Sequence, residues 1–151
     1  MAENDSKIIK YTLTRLLAGR EHSEHELLKK LMQRDFERSL CIEWIEKYKQ
    51  HKLQSNERFA ESLIRGRANK GIGELRIRQE LKEHQITAEI VAQAMDELSV
   101  DWFELVLKVY EKKYKGEAPK DYKEQQKQQR FLYSRGFTPE QIRYAIETSK
   151  E

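Results

Sequence analysis

Seven cations stand within 25 residues of this chain: Arg58, Arg65, Arg67, Lys70, Arg76, Arg78 and Lys82. Guanidinium and ammonium groups at this density act by charge, gripping phosphates or carboxylates, rather than by making or breaking bonds. A second basic run, which includes Lys123, Lys127 and Arg130, lies further on. Arg65 to Lys82 holds six basic residues against Glu74 and Glu80, and Lys108 to Arg130 holds eight against four acids. Each segment is therefore +4, and with a total of +3 the rest of the chain sums to −5. This asymmetry points to a surface that meets polyanions, with solvation of thin helical layers as the alternative.

Residues suited to bond chemistry are sparse. His22 and His25 are three apart, but no further metal ligand accompanies them, so they read as a solvent-exposed pair at a helix start. Cys41 falls on an apolar stripe with Leu40 and Ile45 and reads as a small core residue rather than a nucleophile. Gly71-Ile72-Gly73 follows no strand and reads as a helix-to-helix turn, not a phosphate loop. The expectation is a non-enzyme without cofactor or metal.

The elements that must carry these cations are helices. The chain of 151 residues is 38% hydrophobic and 36% charged, with six glycines and two prolines, which suits several small helical cores better than one deep one. A single cysteine excludes an internal disulfide, the start Met-Ala-Glu-Asn-Asp lacks a secretory pattern, and no apolar run is long enough for a membrane span. A cytoplasmic monomer is expected.

Asp5 to Gly19 reads as a first helix opened by an Asp-Ser cap. Ser23 and Glu26 form a capping box for a second, and a third runs from about Glu37 to Gln50, with Glu37 a weak cap. The pattern then repeats. Leu31 with Phe36 recurs as Leu81 with Ile86 and as Leu132 with Phe137, at offsets of 50 and 51 residues. Thr87 and Thr138 cap the helices after the later anchors, with Ile86 and Phe137 placed to staple onto Val91 and Ile142. Asp101 with Glu104, and Asp121 with Glu124, open two more helices. The expected fold is all-α: three tandem three-helix repeats, at 1–52, 53–99 and 100–151. Gln128 stands where the earlier copies have Leu27 and Ile77, so its helix reads as a polar terminal cap or as one covered by something else.

Helical geometry divides the arginines, since Arg65 and Arg67 lie about 200° apart. Glu74 precedes Arg78 by four and Arg76 precedes Glu80 by four, so local pairs are expected at both. Arg58, at a helix start where the dipole disfavours a cation, is expected to bridge repeats or bind a partner.

Arg58-Phe59-Ala60, Arg65, Lys70-Gly71-Ile72-Gly73 and Arg76-Ile77-Arg78-Gln79-Glu80-Leu81 closely resemble the central signature of the bacterial regulatory RecX family. Ser23, Glu26, Leu27 and Leu31, then Asp101-Trp102, then Arg130-Phe131-Leu132 and Arg135-Gly136-Phe137 fall in the family's order. Gly73-Glu74 replaces the family's Gly-Pro, and His84-Gln85-Ile86 its Lys-Gly-Ile, at a cost of roughly 1 kcal/mol if Gln85 takes positive φ. The resemblance implies an elongated, curved array of helices that regulates the RecA recombinase. It implies binding to the RecA filament on single-stranded DNA and restraint of ATP hydrolysis, strand exchange and coprotease activity, in DNA repair, recombination and the SOS response. Single-stranded or duplex DNA is expected as a further partner. The alternative is a sequence-tolerant DNA-binding helical protein without recombinase specificity.

Overall fold

A computed structural model describes residues 2–149, and its regular structure among these is entirely helical. The order is α1 (Ala2–Gly19), α2 (Glu24–Met32), α3 (Arg38–Gln50), α4 (Asn56–Asn69), α5 (Glu74–Glu83), α6 (Ala88–Leu98), α7 (Trp102–Tyr114), α8 (Tyr122–Ser134) and α9 (Pro139–Ser149). Short polar turns separate them.

Caps set most of these boundaries. Ser23, Asp101 and Asp121 each accept the backbone N–H three residues on, at 2.8–3.1 Å. Thr138 and Gln141 close a reciprocal box, and Thr87 accepts from the Ile90 N–H. Glu37 gives no side-chain cap, as its residue type suggests. Two starts differ from the sequence reading. Helix α1 begins at Ala2, which puts Glu3 and Asp5 in its first turn, where the helix dipole favours them. Ser6 is thereby released from capping and accepts the Trp44 indole N–H at 3.1 Å. The Glu26 carboxylate does not reach back to Ser23 but takes the Arg20 guanidinium instead.

Five of the six repeated anchors are interior, and Phe36 is half-buried against the first core. Leu31, Leu81 and Leu132 are fully buried, and Ile86 and Phe137 are buried beside the later two. Gln85 turns at φ 56°, so the strain expected from the missing glycine is present.

Contacts group the chain into two compact units. One takes the chain up to Ser62 together with Lys82–Ala94; the other takes Leu63–Leu81 and the chain from Met95 onward. Within the first, α1, α2 and α3 enclose Ile9, Leu13, Leu27, Leu31, Cys41 and Ile45. Cys41 is fully buried, and burial pushes its thiol pKa up, away from nucleophilic use. Within the second, α7, α8 and α9 enclose Val106, Tyr110, Leu132, Phe137, Ile142, Ala145 and Ile146.

Gln128 belongs to that second interior. It is 1% exposed and accepts the Tyr110 hydroxyl at 2.7 Å, while its Nε2 has no partner among the described residues. The position that is Leu27 and Ile77 in the earlier copies is thus buried here too, with a hydrogen bond in place of an apolar contact. Its helix is capped by polarity only on its outer face.

Candidate functional site

The basic stretch occupies α4, the turn after it and α5. Arg58, in the first turn of α4, donates from Nε to Glu21 at 2.8 Å and so ties α4 to the loop between α1 and α2. Arg67 forks onto Glu80 through Nε and Nη2, at 2.9 and 2.7 Å, and joins α4 to α5. That carboxylate is therefore held by Arg67 and not by Arg76, four residues before it. Arg78 pairs with Glu74 at 3.0 Å, the local pair expected from their spacing. Arg65 is exposed and likewise engaged within the protein. Lys70, Arg76 and Lys82 are exposed, and none of the three has an ion-pair partner among the described residues. Lys123, Lys127 and Arg130 are exposed along α8.

The turn that follows α4 is seated by backbone alone. The Gly73 N–H donates to the Arg135 carbonyl at 2.7 Å, and the Leu75 N–H donates to the Gly136 carbonyl at 2.8 Å. Two of the unpaired N–H groups at the start of α5 are satisfied by carbonyls from the turn between α8 and α9. The approach is close enough that a Cβ on Gly73 would lie 2.5 Å from the Gly136 carbonyl carbon. A Cβ on Gly136, whose φ is +101°, would lie 2.5 Å from Cβ of Arg76. This junction holds Arg76 and Arg78 in place, and it was not visible in the spacing of either turn.

His22 corrects the reading of an exposed imidazole pair: it is 2% exposed, whereas His25 is half-buried. Its Nδ1 lies 3.0 Å from the Arg20 carbonyl and its Nε2 3.4 Å from Lys30 Nζ. A carbonyl only accepts and an ammonium only donates, which selects the neutral ring with its proton on Nδ1. Gln54, itself buried, covers the site by donating to the His22 carbonyl at 3.1 Å and to Asn56 Oδ1 at 3.0 Å. Desolvation holds the His22 pKa below the ordinary 6.5, opposed by the Arg20 carbonyl and reinforced by the Arg20 charge.

Stability follows with a definite sign. Below about pH 6.5 the unfolded chain protonates this histidine before the folded chain does, so stability falls as pH drops from 6.5 toward the folded pKa. Glu26 acts lower. Burial alone would raise its pKa, but the Arg20 hydrogen bond and charge outweigh this and hold it below 4.5, so its contribution is lost only under more acid conditions. The expected result is that His22→Gln flattens the melting-temperature profile between pH 7 and 5, measured by circular dichroism. An unchanged slope would contradict the assignment.

The structure also gathers cations that spacing did not group. Lys108, Lys112 and Lys113 of α7 and Arg135 at the end of α8 surround one pocket with Lys70. The charge run through α7 was the signal for three of them; Arg135 stood out only within the family motif Arg135-Gly136-Phe137. Among the described residues there is no group of three or more His, Cys, Asp or Glu that could hold a metal ion. Nor is any helix among them long and apolar enough to cross a membrane.

Comparison with known proteins shows the family. Residues 55–95 match the second three-helix domain of RecX and residues 99–146 match the third. Regulatory protein RecX of Vibrio campbellii is 41% identical over 136 residues, which is 90% of this chain and 88% of that protein. That of Vibrio vulnificus is 42% identical over 144 residues, covering 91% and 90%. The chain belongs to the RecX family. RecX proteins of this group are regulatory proteins by name, and the regulatory role extends to this chain with the family. The crystal structure of RecX from Lactobacillus salivarius shares the fold, with a TM-score of 0.79 over 98% of both chains at 22% identity. The resemblance read from Arg58 to Leu81, and the all-helical class, are both upheld.

Proposed function

We propose that this chain restrains the RecA recombinase by binding the filament that RecA forms on single-stranded DNA. It thereby lowers ATP hydrolysis, strand exchange and coprotease activity, and acts in the cytoplasm during repair and recombination. Kinship with RecX proteins over nine-tenths of the chain carries this reading. The basic residues of α4, α5 and α8 supply the physical means. Lys70, Arg76 and Lys82 face solvent ready to meet an acidic or phosphate surface, with Lys123, Lys127 and Arg130 beside them in chemistry. Arg58, Arg65, Arg67 and Arg78 are already engaged. An exposed pair such as Arg78 with Glu74 is worth about 0.3–0.5 kcal/mol, too little to withhold the arginine from a partner. A net charge of +3 is small for a protein that grips duplex phosphates alone, and it favours a composite partner of protein and nucleic acid. A filament also repeats, so successive helical sets can touch successive subunits and add avidity.

The test is inhibition of RecA ATP hydrolysis by the purified chain and by the Arg76→Glu, Arg78→Glu double variant. The variant is expected to need roughly tenfold more protein for half inhibition, as loss of charge complementarity at an interface brings. Its stability should fall by about 1 kcal/mol, from loss of the Arg78–Glu74 pair and the new like-charge pairs with Glu74 and Glu80. Inhibition undiminished in a folded variant would remove these arginines from the contact.

A further inference from the structure

We propose that the pocket formed by the ends of α4, α7 and α8 is a binding site for the phosphodiester backbone of a single-stranded nucleic acid. The inference deepens the function proposed above. It rests on that reading for the strand being the ligand met in the cell.

The pocket has a volume of roughly 490 Å³. Lys70, Lys108, Lys112, Lys113 and Arg135 line it, and no carboxylate does. Leu105, Val109 and Phe131 give it an apolar wall. Two of the cations are fixed on Phe131: Lys113 Nζ lies 5.1 Å and Arg135 Cζ 5.0 Å from its ring centroid. The turn carrying Lys70 is pressed onto α7, since a methyl group added at Gly71 would stand 3.0 Å from Val109 Cγ2 and 4.0 Å from Arg135 Nη1.

Lysines at a helix end ordinarily answer the helix dipole, and that role does not account for this cluster. Three C-terminal ends contribute about −0.5 charge each, roughly −1.5 together, so one or two cations would suffice. Five are present, and about three and a half positive charges are left over. Lys108 lies more than a turn before the end of α7. Its pair with Glu104, at 3.3 Å with both side chains largely exposed, competes weakly with a phosphate.

Geometry selects the ligand. A duplex is a stiff rod with a persistence length of about 50 nm and offers its phosphates only on a convex surface, which a recess between helix ends does not admit. A flexible single strand can bend in and lay sugar and base against the apolar wall. Four of the five cations are lysines, point charges suited to a run of phosphates, whereas a site built for carboxylate side chains favours paired arginine forks.

The test is binding of a fluorescent twenty-residue oligothymidine to the full chain, without RecA, across a salt series. Five neutralised phosphates on a single strand predict a log–log slope of about −3.5. Lys108→Gln with Lys112→Gln should weaken binding at least tenfold at low salt and reduce the slope to about −2.1. Lys7→Gln with Arg15→Gln removes the same charge from exposed positions of α1 and should change the slope by less than about 0.5. The proposal is overturned if the parent chain does not bind the strand, if the pocket variant binds like the parent, or if the α1 variant loses as much. It is overturned equally if poly-glutamate of matched charge displaces the strand as well as unlabelled oligothymidine does. Inhibition of RecA ATP hydrolysis by the parent chain, scored separately, reports on the family role and not on the pocket.

Discussion

Gly73→Ala is expected to destabilise the protein by at least about 3 kcal/mol, as is Gly136→Ala. The new Cβ on Gly73 would meet the Gly136 carbonyl carbon and oxygen at 2.5 and 2.6 Å, and these are backbone atoms that no side-chain rotation clears. Relief requires the two turns to part. That breaks the hydrogen bonds from Gly73 and Leu75, each costing about 1–3 kcal/mol when the group is left unpaired, in addition to overpacking strain of about 1–3 kcal/mol. At Gly136 the φ of +101° adds a conformation that alanine resists. Thermal melts should register a fall of roughly 10 °C or more. Gly66→Ala offers the contrast: it sits within α4 with nothing within 4 Å of the added methyl, and alanine there should stabilise by about 0.5–1 kcal/mol. Equal melting temperatures for the Gly73 and Gly66 variants would contradict the junction.

The second large effect is expected at Phe59→Ala. Phe59 is 3% exposed and meets His84 edge-to-face, with ring centroids 4.9 Å apart. Removing a buried ring leaves a cavity that the surrounding helices fill only in part, at a cost of about 3–5 kcal/mol. Chemical denaturation should show a lower midpoint with an unchanged slope. Arg58, the neighbour of Phe59, has its side chain on Glu21 at the surface, and Arg58→Ala should cost no more than about 1 kcal/mol. The two adjacent positions thus separate a packing role from a charge role.

What the sequence made legible was whatever is local. Apolar spacing and caps such as Ser23, Asp101, Asp121 and Thr138 located the helices to within a residue or two, because both signals are written within four residues of the boundary they set. The start of α1 is the exception: Asp5 and Ser6 look like a cap, yet Ser6 is taken by Trp44, 38 residues away. Non-local geometry was the hidden part. His22 is buried because Gln54, 32 residues on, covers it, and no pattern near His22 records this. The Gly73 and Gly136 turns meet through backbone groups, which carry no residue-type signature beyond the glycines themselves. Likewise the run from Lys108 to Lys113 showed a basic helix, while its convergence with Lys70 and Arg135 depends on how three helix ends pack.

The basic residues named from sequence divide in the same way. Arg78 found the carboxylate four residues away that helical geometry offers, whereas Glu80 turned to Arg67 on the preceding helix and left Arg76 exposed. A carboxylate shared between two helices is more constrained than one along a helix, since it closes a longer loop of chain. Lys70, Arg76 and Lys82 are thus the exposed cations of the stretch without an ion-pair partner among the described residues.

We propose that this chain recognises a recombinase filament rather than nucleic acid alone. The most direct measurement is its affinity for RecA-coated single-stranded DNA and for the same strand bare, across a salt series. We expect the coated strand to bind at least tenfold more tightly at physiological salt and with a shallower salt dependence, because contacts to protein replace part of those with phosphate. Equal affinities and equal slopes would contradict it.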